Sequence, residues 1–282
     1  MCTVPFARRF CRESYNDPLA LYETLKRRGM DLVTVTDHDS IDAVEPLRRF
    51  SDFFLSEEVT CTLPSGTAVH VGVYDITERD HTELQRRRDD IPGFAAYCRE
   101  RGILYAVNHV FSALTGSRTY ADFELFEDVF PALETINGHI PVACNREAET
   151  LSTVWRKIPL GGSDSHTLAE LGRAFTEAPG ASTKPEFLDA LRAGHVRARG
   201  ASGGFGVLTW AVWTIAANVP QEHAWGFLLS PLMLAVPFAT LAAALRDRAF
   251  AALWGWRLGA RVRDKRRSAK VTLAPPAVPD TL

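Results

Sequence analysis

Residues able to bind a cation recur along this chain at or just after short apolar runs. Asp37-His38-Asp39 closes DLVTVTDHD, Glu57-Glu58 follows FFL, His70 sits inside VHVGVY, and Asn108-His109 follows ILYAV. Glu134 and Asn137 lie in LETIN, and Asp164 and His166 lie in GGSDSH. A single histidine in such a place is more often structural, but four of the chain's eight histidines share this setting, together with several carboxylates. Imidazole nitrogen and carboxylate oxygen are the donors a multinuclear zinc, manganese or iron centre requires, held about 2 Å from each cation. The five cysteines (Cys2, Cys11, Cys61, Cys98, Cys144) are scattered and lack any CxxC spacing. They read as reduced cytoplasmic thiols rather than a disulfide framework or a thiolate zinc site. No nucleophile elbow, Walker loop or dinucleotide-binding glycine signature supports a rival chemistry.

The elements that must position these residues alternate between helical and strand patterns from Pro18 to about Gly204. Asp17-Pro18 opens a helix that Gly29 ends, and the β-branched run Asp31 to Asp37 reads as a buried strand. The pattern continues with helix 40–49, strands 53–55 and 68–74, a polar helix from 79, helix 93–101 and strand 103–107. Helix 121–129, strand 132–136, helix 145–156 and strand 158–160 follow. Repeated strand-helix units predict a parallel sheet or barrel with its site at the C-terminal strand ends.

TDHD at Thr36 to Asp39, EEVTC at Glu57 to Cys61, VHVGVYDI from Val69, NHV at Asn108, LETING at Leu133 and GSDSH at Gly162 occur in an order and spacing that resembles the PHP (polymerase and histidinol phosphatase) family. The resemblance covers roughly residues 1 to 200. It implies an α/β fold, a distorted seven-stranded (β/α) barrel with two or three divalent ions, zinc, manganese or iron. The implied activity is hydrolysis of a phosphate ester, monoester or diester, of a small molecule or nucleotide by a metal-bound hydroxide. Carried over by motif, the metal ligands are Glu13, His38, Glu58 (bridging), His70, His109, Asp164 and His166, with Glu58, His38 and Asp164 central to catalysis. Asp17 is an alternative to Glu13, helix capping being its other role. Asp37 is expected to orient a ligating imidazole and Asp39 to cap the helix near Ser40. Arg146 is a candidate for the substrate phosphate. His81, His139, His195 and His223 match no ligand position of the family, and surface or structural roles are expected for them. Members of the family open with His-x-His, whereas this chain reads Met1-Cys2-Thr3. If Thr3 is aligned, Cys2 takes the second histidine's place, as an alternative ligand, and a first barrel strand would be missing. A truncated or catalytically impaired binding or scaffold module is therefore one alternative function.

The C-terminal third differs in character. After the glycine-rich Ala201-Ser202-Gly203-Gly204, residues 205–219 are uncharged, and 226–245 supply about twenty uncharged residues, a length that can cross a bilayer. Basic residues flank both outer sides, nine of them between Arg246 and Lys270 against two acidic ones. This predicts three parts: a PHP-like domain at 1–204, a hydrophobic helical hairpin at 205–245 embedded in a membrane, and a basic then disordered tail at 246–282. The competing expectation for 205–245 is a packed helical pair. The first twenty residues lack a signal peptide's apolar run, so a cytoplasmic location, attached to the inner face of the membrane, is expected. Partners would be a phosphorylated small molecule or nucleotide. A nuclease acting on nucleic-acid ends is a further alternative, disfavoured by the acidic balance of the residues before the basic cluster.

Overall fold

The computed structural model describes residue 14, residues 16–222 and residues 233–272, the side chains of 219–222 and 262–272 excepted. It is a mixed α/β structure. Helix α1 (Pro18–Arg27) starts with Asp17 accepting from the Ala20 N–H and with proline in the first turn. The following segment, 31–38, runs alongside 53–58 through the parallel bridges Val33–Phe53 and His38–Glu58. Strands β1 (Ser56–Thr62), β2 (Ala68–Tyr74), β3 (Leu104–Val107), β4 (Ala132–Asn137) and β5 (Ile158–Gly162) form one sheet in that order. Helices α2 (Glu78–Arg87) and α3 (Ile91–Arg101) precede β3, α4 (Tyr120–Val129) precedes β4, and α5 (Val142–Trp155) precedes β5. Beyond β5 lie β6 (Ala174–Glu177), α6 (Lys184–Ala193) and β7 (Arg197–Gly200), with β6 and β7 paired as an antiparallel ribbon.

The expected parallel sheet holds only for β3, β4 and β5; β1–β2 and β2–β3 are antiparallel. The physical reason for the first pair is the Leu63 to Thr67 turn, closed by Leu63 N–H to the Thr67 carbonyl at 2.9 Å. Five residues make a hairpin but cannot make the crossover a parallel pair needs. A seven-stranded barrel is not what the described residues form: they hold a five-stranded sheet and a separate two-stranded ribbon. The 40–49 helix is likewise corrected to a short 3-10 turn at Asp42–Val44 with turns after it.

The C-terminal third gives the membrane expectation no support among the described residues. Helix α7 (Phe205–Glu222) is apolar, but α8 (Val236–Thr272) runs through residue 245 without a break and carries the basic cluster on the same rod. Ala251, Trp254 and Leu258 of α8 join the main core with Val59, Val71, Phe94, Tyr105, Phe123 and Leu133. The Trp254 ring lies 4.7 Å from that of Phe123. Asp247 is buried and accepts from the Ala113 N–H at 2.8 Å, so this helix docks on the α/β body instead of trailing from it. Thr209 and Thr240 hydroxyls meet at 2.7 Å between α7 and α8. No helix among the described residues is long and apolar enough to cross a membrane. Residues 226–232 of the second apolar run, and the LAPPAVPDTL segment read as disordered, lie outside the described residues, the latter from 273 on.

Candidate metal centre

Successive residues on a strand point to opposite faces, and Glu57-Glu58 shows what that does to two identical side chains. Glu57 turns to α2, where His81 Nδ1 lies 2.6 Å from its Oε2 and Gln85 donates at 3.4 Å. Glu58 turns to the other face, into a set of imidazoles. His38 Nδ1 lies 3.1 Å from Glu58 Oε2. His109 Nε2 and His70 Nδ1 lie 3.3 and 3.7 Å from Oε1, and 3.2 Å from each other. Asn108 donates to the same Oε1 at 2.7 Å. These side chains come from the 31–38 segment, β1, β2 and the end of β3, four neighbouring stretches of backbone.

The donor set fits divalent cations. Bonds of 2.0–2.1 Å in a tetrahedral arrangement separate neighbouring donors by about 3.3 Å, close to the spacings found around Glu58. His38, Glu58 and His70 each offer one ligand atom within 4.8 Å of the others. Burial presses the His70 pKa down to about 4, an effect that the Glu58 charge only partly opposes, so its ring is neutral and keeps a lone pair for a metal. Burial alone would raise Glu58, but His109, His70 and His38 more than offset it and hold the carboxyl well below the usual range. His109 moves the opposite way: burial would lower it, and Glu58 raises it.

Glu134, which sequence reasoning noted without assigning a role, supports this cluster from β4. Its Oε2 accepts the His109 N–H at 2.8 Å and Asn137 Nδ2 at 3.0 Å, and burial pushes its pKa up to about 7. His109 has φ +30, a left-handed backbone uncommon for a non-glycine residue, and the Glu134 contact holds it there. Glu134 and Asn137 are three apart, which in a regular strand would place them on opposite faces. The register shift between Glu134 and Ile136 brings them to the same side.

A second group forms on the loops after β4 and β5. His139, Asp164 and His166 each offer one ligand atom within 4.8 Å of the others. Asn137 Nδ2 reaches Asp164 Oδ2 at 3.0 Å, and Asn137 Oδ1 accepts from the N–H groups of His139 and Ile140 at 2.8 and 3.2 Å. One amide thus ties β4, the His139 turn and Asp164 together. Burial would raise the Asp164 carboxyl, but His166, His139 and His109 outweigh it and lower its pKa. The Glu58 charge acts on Asp164 in the raising direction, and Asn137 bonds both Glu134 of the first group's support and Asp164 of the second. Both groups border an open cleft of about 1790 Å³ lined by His38, Glu58, His109, Asp164 and His166. That exceeds an ordinary small-molecule pocket of about 300–1,000 Å³, so volume alone selects no substrate.

The structure thus brings together His38, Glu58, His70, His109, Asp164 and His166. Asp17 caps α1 and belongs to neither group. Asp39 does not cap a helix; its Oδ1 accepts the Thr60 N–H at 2.8 Å. Asp37 contributes its carbonyl to Glu58 N–H at 3.1 Å, and burial raises its carboxyl pKa. Arg146 is exposed on α5 and does not line the cleft. Cys2 and Glu13 lie outside the described residues. Cys61, Cys98 and Cys144 are buried free thiols whose pKa values burial raises, so they are packing residues. His139, for which a surface or structural role was expected, stands beside Asp164 and His166, and its place in NGH, two residues after Asn137, was its one sequence signal.

Residues 143–196, which contain GSDSH, match the PHP-associated family model. This bears out the resemblance read from the motifs. No curated protein matches the chain in sequence. Among solved structures the chain is similar to PsfC from Pseudomonas syringae PB-5123, with TM-score 0.51 and 15% identity, covering 77% of this chain and 92% of that one. It is also similar to a candidate metal-dependent phosphoesterase from Bifidobacterium adolescentis, with TM-score 0.42 and 14% identity, over 64% of this chain and 92% of that one. A third similar structure is the lesion-specific endonuclease PfuEndoQ from Pyrococcus furiosus, with TM-score 0.45 and 18% identity, over 67% of this chain and 56% of that one. At such identities the PsfC likeness speaks to fold alone.

Proposed function

We propose that this PHP-type chain is a metal-dependent hydrolase of phosphate esters whose working centre is the His38, Glu58, His70 and His109 cluster. The observation that carries the reading is a single buried carboxylate, Glu58, with imidazole nitrogens at 3.1, 3.3 and 3.7 Å distributed over its two oxygens. A structural histidine needs one partner; three imidazoles converging on one carboxylate are the donor set for cations.

Divalent ions held by these donors would polarise a water and neutralise the oxygens of a phosphoryl group. The chain's own residues prepare that chemistry. Glu58 presents one oxygen to His38 and the other to His70 and His109, an arrangement suited to bridging. Asn108 fixes the rotation of the carboxylate from one side. Glu134 secures the main chain of His109, and Asn137 links Glu134 to Asp164 across the cleft floor. The open cleft then admits a phosphorylated small molecule or nucleotide.

The test is turnover of p-nitrophenyl phosphate and bis(p-nitrophenyl) phosphate by protein loaded with manganese, zinc or iron. Hydrolysis of either ester that Glu58→Gln abolishes is the expected result. Inactivity of fully metallated protein on both esters would overturn the reading in favour of a binding module.

A further inference from the structure

We infer that His139 is a metal ligand, and that with Asp164 and His166 it forms a second divalent-cation site of two imidazoles and one carboxylate. The inference concerns cation binding, so it stands or falls separately from hydrolysis by the Glu58 cluster.

Three observations converge on it. The first is the unmet demand of the imidazole. His139 Nε2 is buried and has no hydrogen-bond partner among the described residues. A buried ring nitrogen without a donor is a poorly satisfied group unless a cation takes its lone pair. The second is the state of its neighbour. His166 Nδ1 lies 3.0 Å from the Asp164 carbonyl oxygen, a contact in which the ring must donate. That assigns the proton to Nδ1 and leaves the Nε2 lone pair for a metal, the way ligating histidines are commonly held. The two rings lie 5.3 Å apart and tilted by 32°.

The third is the cost the backbone accepts to bring these groups together. Asp164 is left-handed at φ +47, a conformation uncommon among non-glycine residues as a whole. A Cβ on Gly203 would fall 2.2 Å from the His139 carbonyl, and one on Gly138 would fall 2.8 Å from the Ser163 carbonyl. Only glycine lets the chain at 203 and the turn at 138 approach so closely. Two imidazoles and a carboxylate with open positions suit zinc or ferrous iron, and cobalt reports on such a site by colour.

The experiment titrates cobalt(II) into the full chain carrying Glu58→Gln, which disables the first cluster. A visible d–d band is expected, with a dissociation constant that His139→Ala raises about 10-fold or more and that His166→Ala raises as well. Loss with His166→Ala and an unchanged band and affinity with His139→Ala would overturn the proposal. Should His139→Ala fail to fold by circular dichroism, the cobalt-loaded Glu58→Gln protein decides the matter directly. Its hyperfine-shifted imidazole N–H resonances should count two ligands in the second site, and one would refute the inference.

Discussion

The two donor groups are built differently, although both combine imidazoles with carboxylate. The Glu58 cluster is carried by adjacent strands, where pleat and hydrogen-bond ladder set the spacing of side chains before any polar contact forms. Glu58 opposes Gly72, and Thr60 opposes His70, in one antiparallel register. The His139 group sits on two loops, and its geometry depends on a register shift in β4, on one amide, and on two close backbone approaches. A site on a sheet is held by the fold itself, while a site on loops is only as rigid as its supports.

The largest effect should separate the groups outright. Glu58→Gln is expected to lower phosphodiester or phosphomonoester turnover by at least about three orders of magnitude, ~4 kcal/mol of barrier. Metal analysis of the same protein should show the first cluster emptied and the second retained. Asn137→Ala comes next, weakening the second group's cation affinity by about 10–100-fold. Its effect on the first group should be smaller, transmitted only through Glu134, and calorimetric titration of both groups would measure the ratio. Equal losses at the two would mean that they form one continuous centre.

Gly203→Ala tests the loop-borne group without touching a ligand. The added methyl must displace the His139 carbonyl, costing about 1–3 kcal/mol in denaturant unfolding and loosening the second group alone. Asp80→Asn is the control with the smallest effect and should leave metal binding at both groups unchanged. Burial would raise Asp80, but hydrogen bonds from Thr77, Tyr97 and Arg101 outweigh it and hold its pKa at about 2. A carboxyl depressed by folding adds stability above its unfolded pKa near 4 and loses it as pH falls toward 2. The variant should therefore be less stable by about 1–2 kcal/mol at neutral pH, with the difference vanishing between about pH 4 and 2 in urea melts.

Much of the helical order was legible because its signals are local. Asp17-Pro18 before α1 acts on the residues immediately after it. What was misread has other physical causes. The β1–β2 pairing follows from a short turn, while β6 and β7 are short and partly exposed, with little apolar pattern to announce them. The run 226–245 suggests a membrane span because hydropathy counts uncharged residues along the chain, and the described part of it gives that reading no support. Hydropathy does not register that Asp247, two residues further on, is buried against the Ala113 N–H.

Residue type and order alone determined the donor chemistry: histidines and carboxylates at strand ends, cysteines without ligand spacing, and motifs of PHP character. That much is legible because donor identity belongs to each side chain and strand periodicity to its near neighbours. The tertiary structure decided which donors meet. It turned Glu58 toward the imidazoles and Glu57 toward α2, used a bulge to set Asn137 beside Glu134, and brought His139 to Asp164 and His166 from another loop. Those outcomes depend on register, loop closure and close backbone approach, which arise only when distant stretches of chain pack together.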